Sequence, residues 1–147
     1  MSIRRKSREM ALQVLFCVDV LDDCSQPLIE ELCNLLKPSE RVRPFGLELV
    51  RGVVENKDRT DQIIAEASSN WKLARMDYVD RNIIRIAVWE MLFCEDMPPG
   101  VAINEAVDIG KKYGTERSGA FINGILDTIR KNFWGPKTEP SGLAEDK

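Results

Sequence analysis

A chain of 147 residues, 44% apolar and 31% charged, hides roughly 70% of its unfolded surface on folding, which excludes a disordered polypeptide. Its 24 acidic residues outnumber 21 basic ones and leave a formal charge of -3, so affinity for nucleic acid has to come from local and not bulk charge. With no histidine, and with Cys17, Cys24, Cys33 and Cys94 lacking CxxC spacing, the common zinc motifs are excluded and no metal or cofactor is expected.

The charge is unevenly spread. Arg4, Arg5, Lys6 and Arg8 face only Glu9 locally, so a basic arm is joined to an acidic body. These cations lead into an amphipathic stretch broken by Gln13 and Asp19, unlike a signal peptide, and no apolar run nears the roughly 18 residues of a membrane span. A cytoplasmic protein with reduced thiols is expected.

Apolar residues recur at helical spacing almost throughout, so the class is all-α. A first helix over 4–21 presents Met10, Ala11, Val14, Leu15, Val18 and Leu21 on one face. Pro27 opens a second helix whose buried stripe is Leu28, Ile29, Leu32, Leu35 and Leu36. A third begins near Pro44; Asn56, Lys57 and Asp58 look like a turn, but because Ile63, Ile64 and Ala67 stay in phase with Val53, one helix is expected to continue through Asn56 to Ala67. A break at 68–70 precedes a connecting turn over 71–77. The next helix, from Val79 to Leu92, is apolar around most of its circumference, with a polar strip at Arg81, Arg85 and Glu90.

Pro98, Pro99 and Gly100 separate it from a helix over 101–114, with Gly114 suited to a left-handed position at its end. Ser118 is a potential N-cap for the last helix, which buries Phe121, Ile122, Ile125, Leu126, Ile129 and Phe133. The division expected is a single helical domain over 1–134, with halves at about 1–69 and 70–134, and a disordered tail over 135–147.

Four segments in order resemble the NusB family of transcription antitermination factors: RRKSREMALQVLF at 4–16, ELVRGVVENKD at 48–58, DYVDRNIIRIAVWEML at 77–92 and VAINEAVDIGKKYGTERSGAFINGILD at 101–127. The resemblance implies about seven helices in two perpendicular subdomains. It implies binding of the boxA segment of ribosomal-RNA leader transcripts, together with the ribosomal protein NusE, within an RNA polymerase antitermination complex. Some members form homodimers that cover the RNA-binding arm, so self-association is a further expectation.

The dense cations Arg4, Arg5, Lys6 and Arg8 suit a phosphodiester backbone, because each neutralised phosphate releases counterions; the plain alternative is a solvated, frayed N-terminus. Phe16 stands where the family often has tyrosine and either stacks on a base or packs in the core. Asp80 either caps its helix or pairs with Arg81 or Arg85, or lies, as the resemblance implies, near the RNA and NusE surface. Asn104 and Glu105 either pin local backbone or belong to the partner interface. Ser118, Phe121 and Asn123 lie where the N–H groups of a helix start can seat a phosphate, although Phe121 shares the spacing of the core. Two departures from the family pattern are Gly100, where a cation is common, and Arg117, where an acid is common. No nucleophile or general-base constellation is present, and an enzyme is not expected. The alternative function is a helical protein-interaction or dimerisation module whose basic arm is incidental.

Overall fold

The computed structural model describes residues 2–69 and 72–135. Helix α1 (Ile3–Leu21) starts where the Ser2 side chain accepts the Arg5 N–H at 3.0 Å, and stops at Asp22, whose φ of 52° turns the chain out of the helix. Pro27 sits in the first turn of α2 (Gln26–Leu36), where its missing N–H has no intrahelical partner to lose. α3 (Arg43–Glu55) and α4 (Lys57–Ala67) follow, then a single 3-10 turn (Leu73–Arg75), α5 (Tyr78–Phe93), α6 (Pro99–Tyr113) and α7 (Ser118–Trp134). The described residues are thus all-helical with seven α-helices and no strand, as the periodicity requires.

The helix expected to run unbroken from Pro44 to Ala67 is two helices. Asn56 leaves helical geometry at φ -114° and ψ 20°. Its side-chain amide donates to the Gly52 carbonyl at 2.8 Å alongside its own backbone N–H, and Thr60 bonds back to the Asn56 carbonyl through both N–H and hydroxyl. Side-chain competition for backbone groups is the usual way asparagine interrupts a helix. The apolar phase survives the break, with Val53, Ile63 and Ile64 all buried, but the partners change: α3 packs on α1 and α5, and α4 on α5 and α7.

α5 is the centre of the molecule. Every residue from Asn82 to Met91 is buried, and α5 touches α1, α3, α4, α6 and α7. The polar strip expected at Arg81, Arg85 and Glu90 is therefore not solvated: Arg85 and Glu90 are buried and Arg81 nearly so. Close packing here depends on Gly52, where a Cβ would overlap the Trp89 indole.

Several boundary expectations need correction. Leu35 and Leu36 are 70% and 40% exposed, because α2 packs substantially on α1 alone; its buried residues are Ile29 and Cys33. Leu21 and Phe133, assigned to core faces, are exposed at the ends of their helices. Pro99 and Gly100 begin α6 instead of preceding it. Gly114 is extended, not left-handed; what demands glycine is the Ser118 hydroxyl, which a Cβ there would overlap. Except for Gly135, the tail expected over 135–147 lies outside the described residues.

Candidate nucleic-acid interface

The basic arm is a folded turn of α1, and its four cations meet four different environments. Arg8 is 4% exposed. Its Nε and Nη2 donate to the two carboxylate oxygens of Glu90, both at 2.8 Å, and Nη1 reaches Glu105 at 3.2 Å. Burial opposes the Arg8 charge, but the bonds and charge of Glu90 outweigh it and raise the pKa. Arg8 is thereby removed from the phosphate-facing set: it is a structural cation, because a buried carboxylate at Glu90 demands a partner. Arg5 donates from Nε to Glu105 at 2.6 Å and from Nη2 to Asp108 at 3.0 Å. Arg4 lies over the Phe45 ring, 3.9 Å from its centroid, a cation–π contact. Lys6 is exposed and has no ion pair among the described residues.

Lys6, Gln13 and Phe16 share one exposed face of α1, and Lys6 and Phe16 stand about 15 Å apart along the axis. Glu9, between them, is tied to α6, accepting from Lys112 Nζ at 3.1 Å and from the Tyr113 hydroxyl at 2.9 Å. Phe16 is 38% exposed and meets Tyr78 edge-to-face at 6.0 Å, so it is a surface aromatic and not a core residue. It opens onto a groove of about 550 Å³ lined by Leu12, Leu32, Leu35, Leu36, Val79 and Tyr113 among others, none of them charged.

The far end of α1 carries a second ion cluster that the sequence did not disclose. Asp19 accepts from Arg81 Nε at 2.7 Å and Nη2 at 2.8 Å, from Asn82 Nδ2 at 2.9 Å and from Arg85 Nη1 at 3.1 Å. Arg85 also grips Asp61 of α4 through Nε and Nη2, at 2.8 and 3.0 Å. Burial pushes the Asp19 carboxyl up, yet the bonds from Arg81 and Asn82 and the nearby cations hold it below its usual range. The partial signal was Arg81 and Arg85, one helical turn apart on a largely apolar helix, which had to find carboxylates; which carboxylates is a matter of packing.

Asp80 pairs with neither arginine. The cap of α5 is Asp77, whose carboxylate accepts the Val79 N–H at 3.1 Å. Asp80 is 8% exposed, and its Oδ1 has no hydrogen-bond partner among the described residues. Burial pushes its carboxyl above the ordinary range, against a smaller opposing pull from the Ser118 hydroxyl. Asp80 is therefore a buried neighbour of the α7 start, and the capping and pairing roles are corrected.

Ser118 is fully buried, and its Oγ accepts the Thr115 N–H at 2.9 Å. The N-cap position belongs to Arg117, so Ser118 closes the loop instead of facing a phosphate. Phe121 is half-buried against the core and Asn123 is exposed. Asn104 is likewise exposed and its side chain bonds no backbone group among the described residues, whereas Glu105 bridges Arg5 and Arg8. Those bonds, Arg5 first, hold the Glu105 carboxyl below its usual range.

Fold and surface together define a small all-helical protein, with exposed Lys6 and Phe16 on one face of α1 beside an apolar groove. Residues 5–131 match the NusB family, and the chain belongs to it. A transcription antitermination protein NusB from Desulfosudis oleivorans is 47% identical, covering 95% of this chain and 92% of the relative. Its counterpart from Desulfatibacillum aliphaticivorans is 52% identical, covering 88% and 90%. Among solved structures, T. maritima NusB superimposes with a TM-score of 0.76 at 37% identity, covering 87% of this chain and 90% of that one. A structure of antitermination factors NusB and NusE in complex with double-stranded RNA superimposes with a TM-score of 0.80 at 29% identity, covering 90% and 98%.

Proposed function

We propose that this chain is a cytoplasmic transcription antitermination factor that binds boxA-type single-stranded RNA of ribosomal leader transcripts together with NusE, as part of an RNA polymerase antitermination complex. It acts by binding and not by catalysis. The observation that carries this reading is the exposed strip from Lys6 to Phe16, with Lys112 beside it, in a chain that belongs to the NusB family over residues 5–131. A lysine neutralises phosphate, and an exposed phenyl face accepts an unstacked base, the pairing that single-stranded RNA recognition uses.

Fluorescence anisotropy with a labelled boxA-type RNA, with and without NusE and across a salt series, tests it. Lys6→Ala is expected to weaken binding and to flatten the logarithmic salt slope by about 0.7, one phosphate contact on a single strand. Absence of binding at low ionic strength, alone and with NusE, rejects the reading.

A second reading, a protein-interaction or dimerisation module, draws on the uncharged groove and the exposure of Leu35 and Leu36. NusE binding or self-association by sedimentation, unaccompanied by RNA binding, favours it.

A further inference from the structure

The carboxylates that face the basic arm do not all serve the same purpose. Glu90 is 1% exposed and committed to Arg8, and Glu105 is shared between Arg5 and Arg8, so it is held from the core side. Asp108 differs. Its side chain is 54% exposed, its one ion-pair partner among the described residues is Arg5, and the pair rests on a single bond from Nη2. Two arginines therefore face three carboxylates, and the third is a removable surface group.

A guanidinium has five N–H donors. Arg5 spends Nε on Glu105 and one Nη2 hydrogen on Asp108, and its side chain remains 20% exposed. A phosphate oxygen carries the charge and acceptor geometry that Asp108 supplies, and both suit an arginine edge.

Resting on the RNA-binding reading above, we propose that Asp108 is an internal stand-in for a phosphate: it occupies Arg5 in the free protein and is exchanged for an RNA phosphate on binding. Glu105 keeps Arg5 in place during the exchange, because its second bond to the buried Arg8 persists. Asp108 is then a specificity-determining residue. Any polyanion has to displace it, and after displacement its charge still repels the incoming backbone. An RNA that offers only phosphates gains little from Arg5, whereas one that also engages the Phe16 strip meets the cost of the exchange.

The test compares Asp108→Asn with the unmodified protein on a short labelled oligouridine and on a boxA-type RNA, over a salt series. Asp108→Asn is expected to tighten oligouridine binding about two- to fivefold at low salt, the range that loss of one exposed ion pair commands. It is expected to steepen the logarithmic salt slope by about 0.7 and to lower the preference for boxA-type RNA. Arg5→Ala should weaken binding, and adding Asp108→Asn to it should give a clearly smaller gain than on the unmodified protein, because only the repulsion and not the competition for Arg5 is then relieved.

Glu66→Gln, on the surface of α4, controls for bulk charge, and an equal gain from it overturns the proposal. So does an Asp108→Asn protein that binds oligouridine no better, or worse, while Arg5→Ala still weakens binding; Asp108 would then merely orient Arg5. If Arg5→Ala and Lys6→Ala both leave affinity and slope unchanged, the RNA-binding role of the arm fails as well, which separates the two failures. An unchanged melting temperature for Asp108→Asn confirms that folded proteins are being compared.

Discussion

The two ends of α1 are fastened to α5 by the same chemistry but with different balance. At the C-terminal end, Asp19 and Asp61 face Arg81 and Arg85, two charges of each sign, with Asn82 supplying a further donor. At the N-terminal end, Arg5 and Arg8 face Glu90, Glu105 and Asp108, one carboxylate in excess and half in water. The first is a closed fastening and the second has an exchangeable outer member. Burial is what separates structure from function here: charges without water have to be matched, whereas a charge at the rim is free to change partner.

The largest expected effect comes from opening the closed end. Arg85→Ala leaves the half-buried Asp61 unpaired and Asp19 short of a donor, and is expected to cost about 3 kcal/mol in chemical denaturation, the lower end of the penalty for breaking a buried ion pair. Arg5→Ala, at the open end, is expected to cost no more than about 1 kcal/mol. Equal losses would erase the distinction between the two ends.

Acid titration sharpens the comparison further. Asp19 and Glu105 both titrate below their usual ranges in the folded protein. Each therefore contributes stability that is present above its unfolded pKa, about 3.9 for Asp and 4.3 for Glu, and that is lost as pH falls through the lower folded value. Because Asp19 is the less exposed of the two, at 9% against 25%, Asp19→Asn should flatten the acid limb of the stability curve more than Glu105→Gln. Urea midpoints measured from neutral pH downward check the order, and a steeper dependence on Glu105 would reverse it.

Asp80 gives a small stability effect of the opposite sign. Its folded pKa is raised by burial, so the protein is favoured below the ordinary aspartate pKa and loses stability as pH rises through the folded value. Asp80→Asn should stabilise the protein by about 1 kcal/mol at neutral pH, because the isosteric amide carries no charge to desolvate, and the gain should vanish below about pH 4. A loss of stability at neutral pH would mean that the ionised carboxylate is needed.

Much of the fold was legible because helical periodicity and proline placement are local. The break at Asn56 was signalled by the turn-like run Asn56, Lys57 and Asp58, but the apolar phase runs through it and outweighed that signal; the side-chain bond to Gly52 decides it. At the interface, composition located the basic arm but treated its cations as equivalent. Arg8 and Lys6 are two residues apart, yet one is buried against Glu90 and the other faces water, a difference set by partners more than eighty residues away in the chain. Ser118 misled for a related reason: a hydroxyl at a helix start resembles a cap until Gly114 is seen folding back over it.

The amino-acid order alone determined the helical class, the approximate span of most helices, the nearly all-round apolar surface of α5 and the concentration of positive charge at one terminus, because each depends on neighbours within a turn or two. Tertiary structure alone decided which charges are consumed inside the molecule and which remain at its surface. Ion pairing is a long-range choice, made by whichever carboxylates the packing of α5 and α6 brings within about 3 Å of α1, and no local pattern encodes that distance.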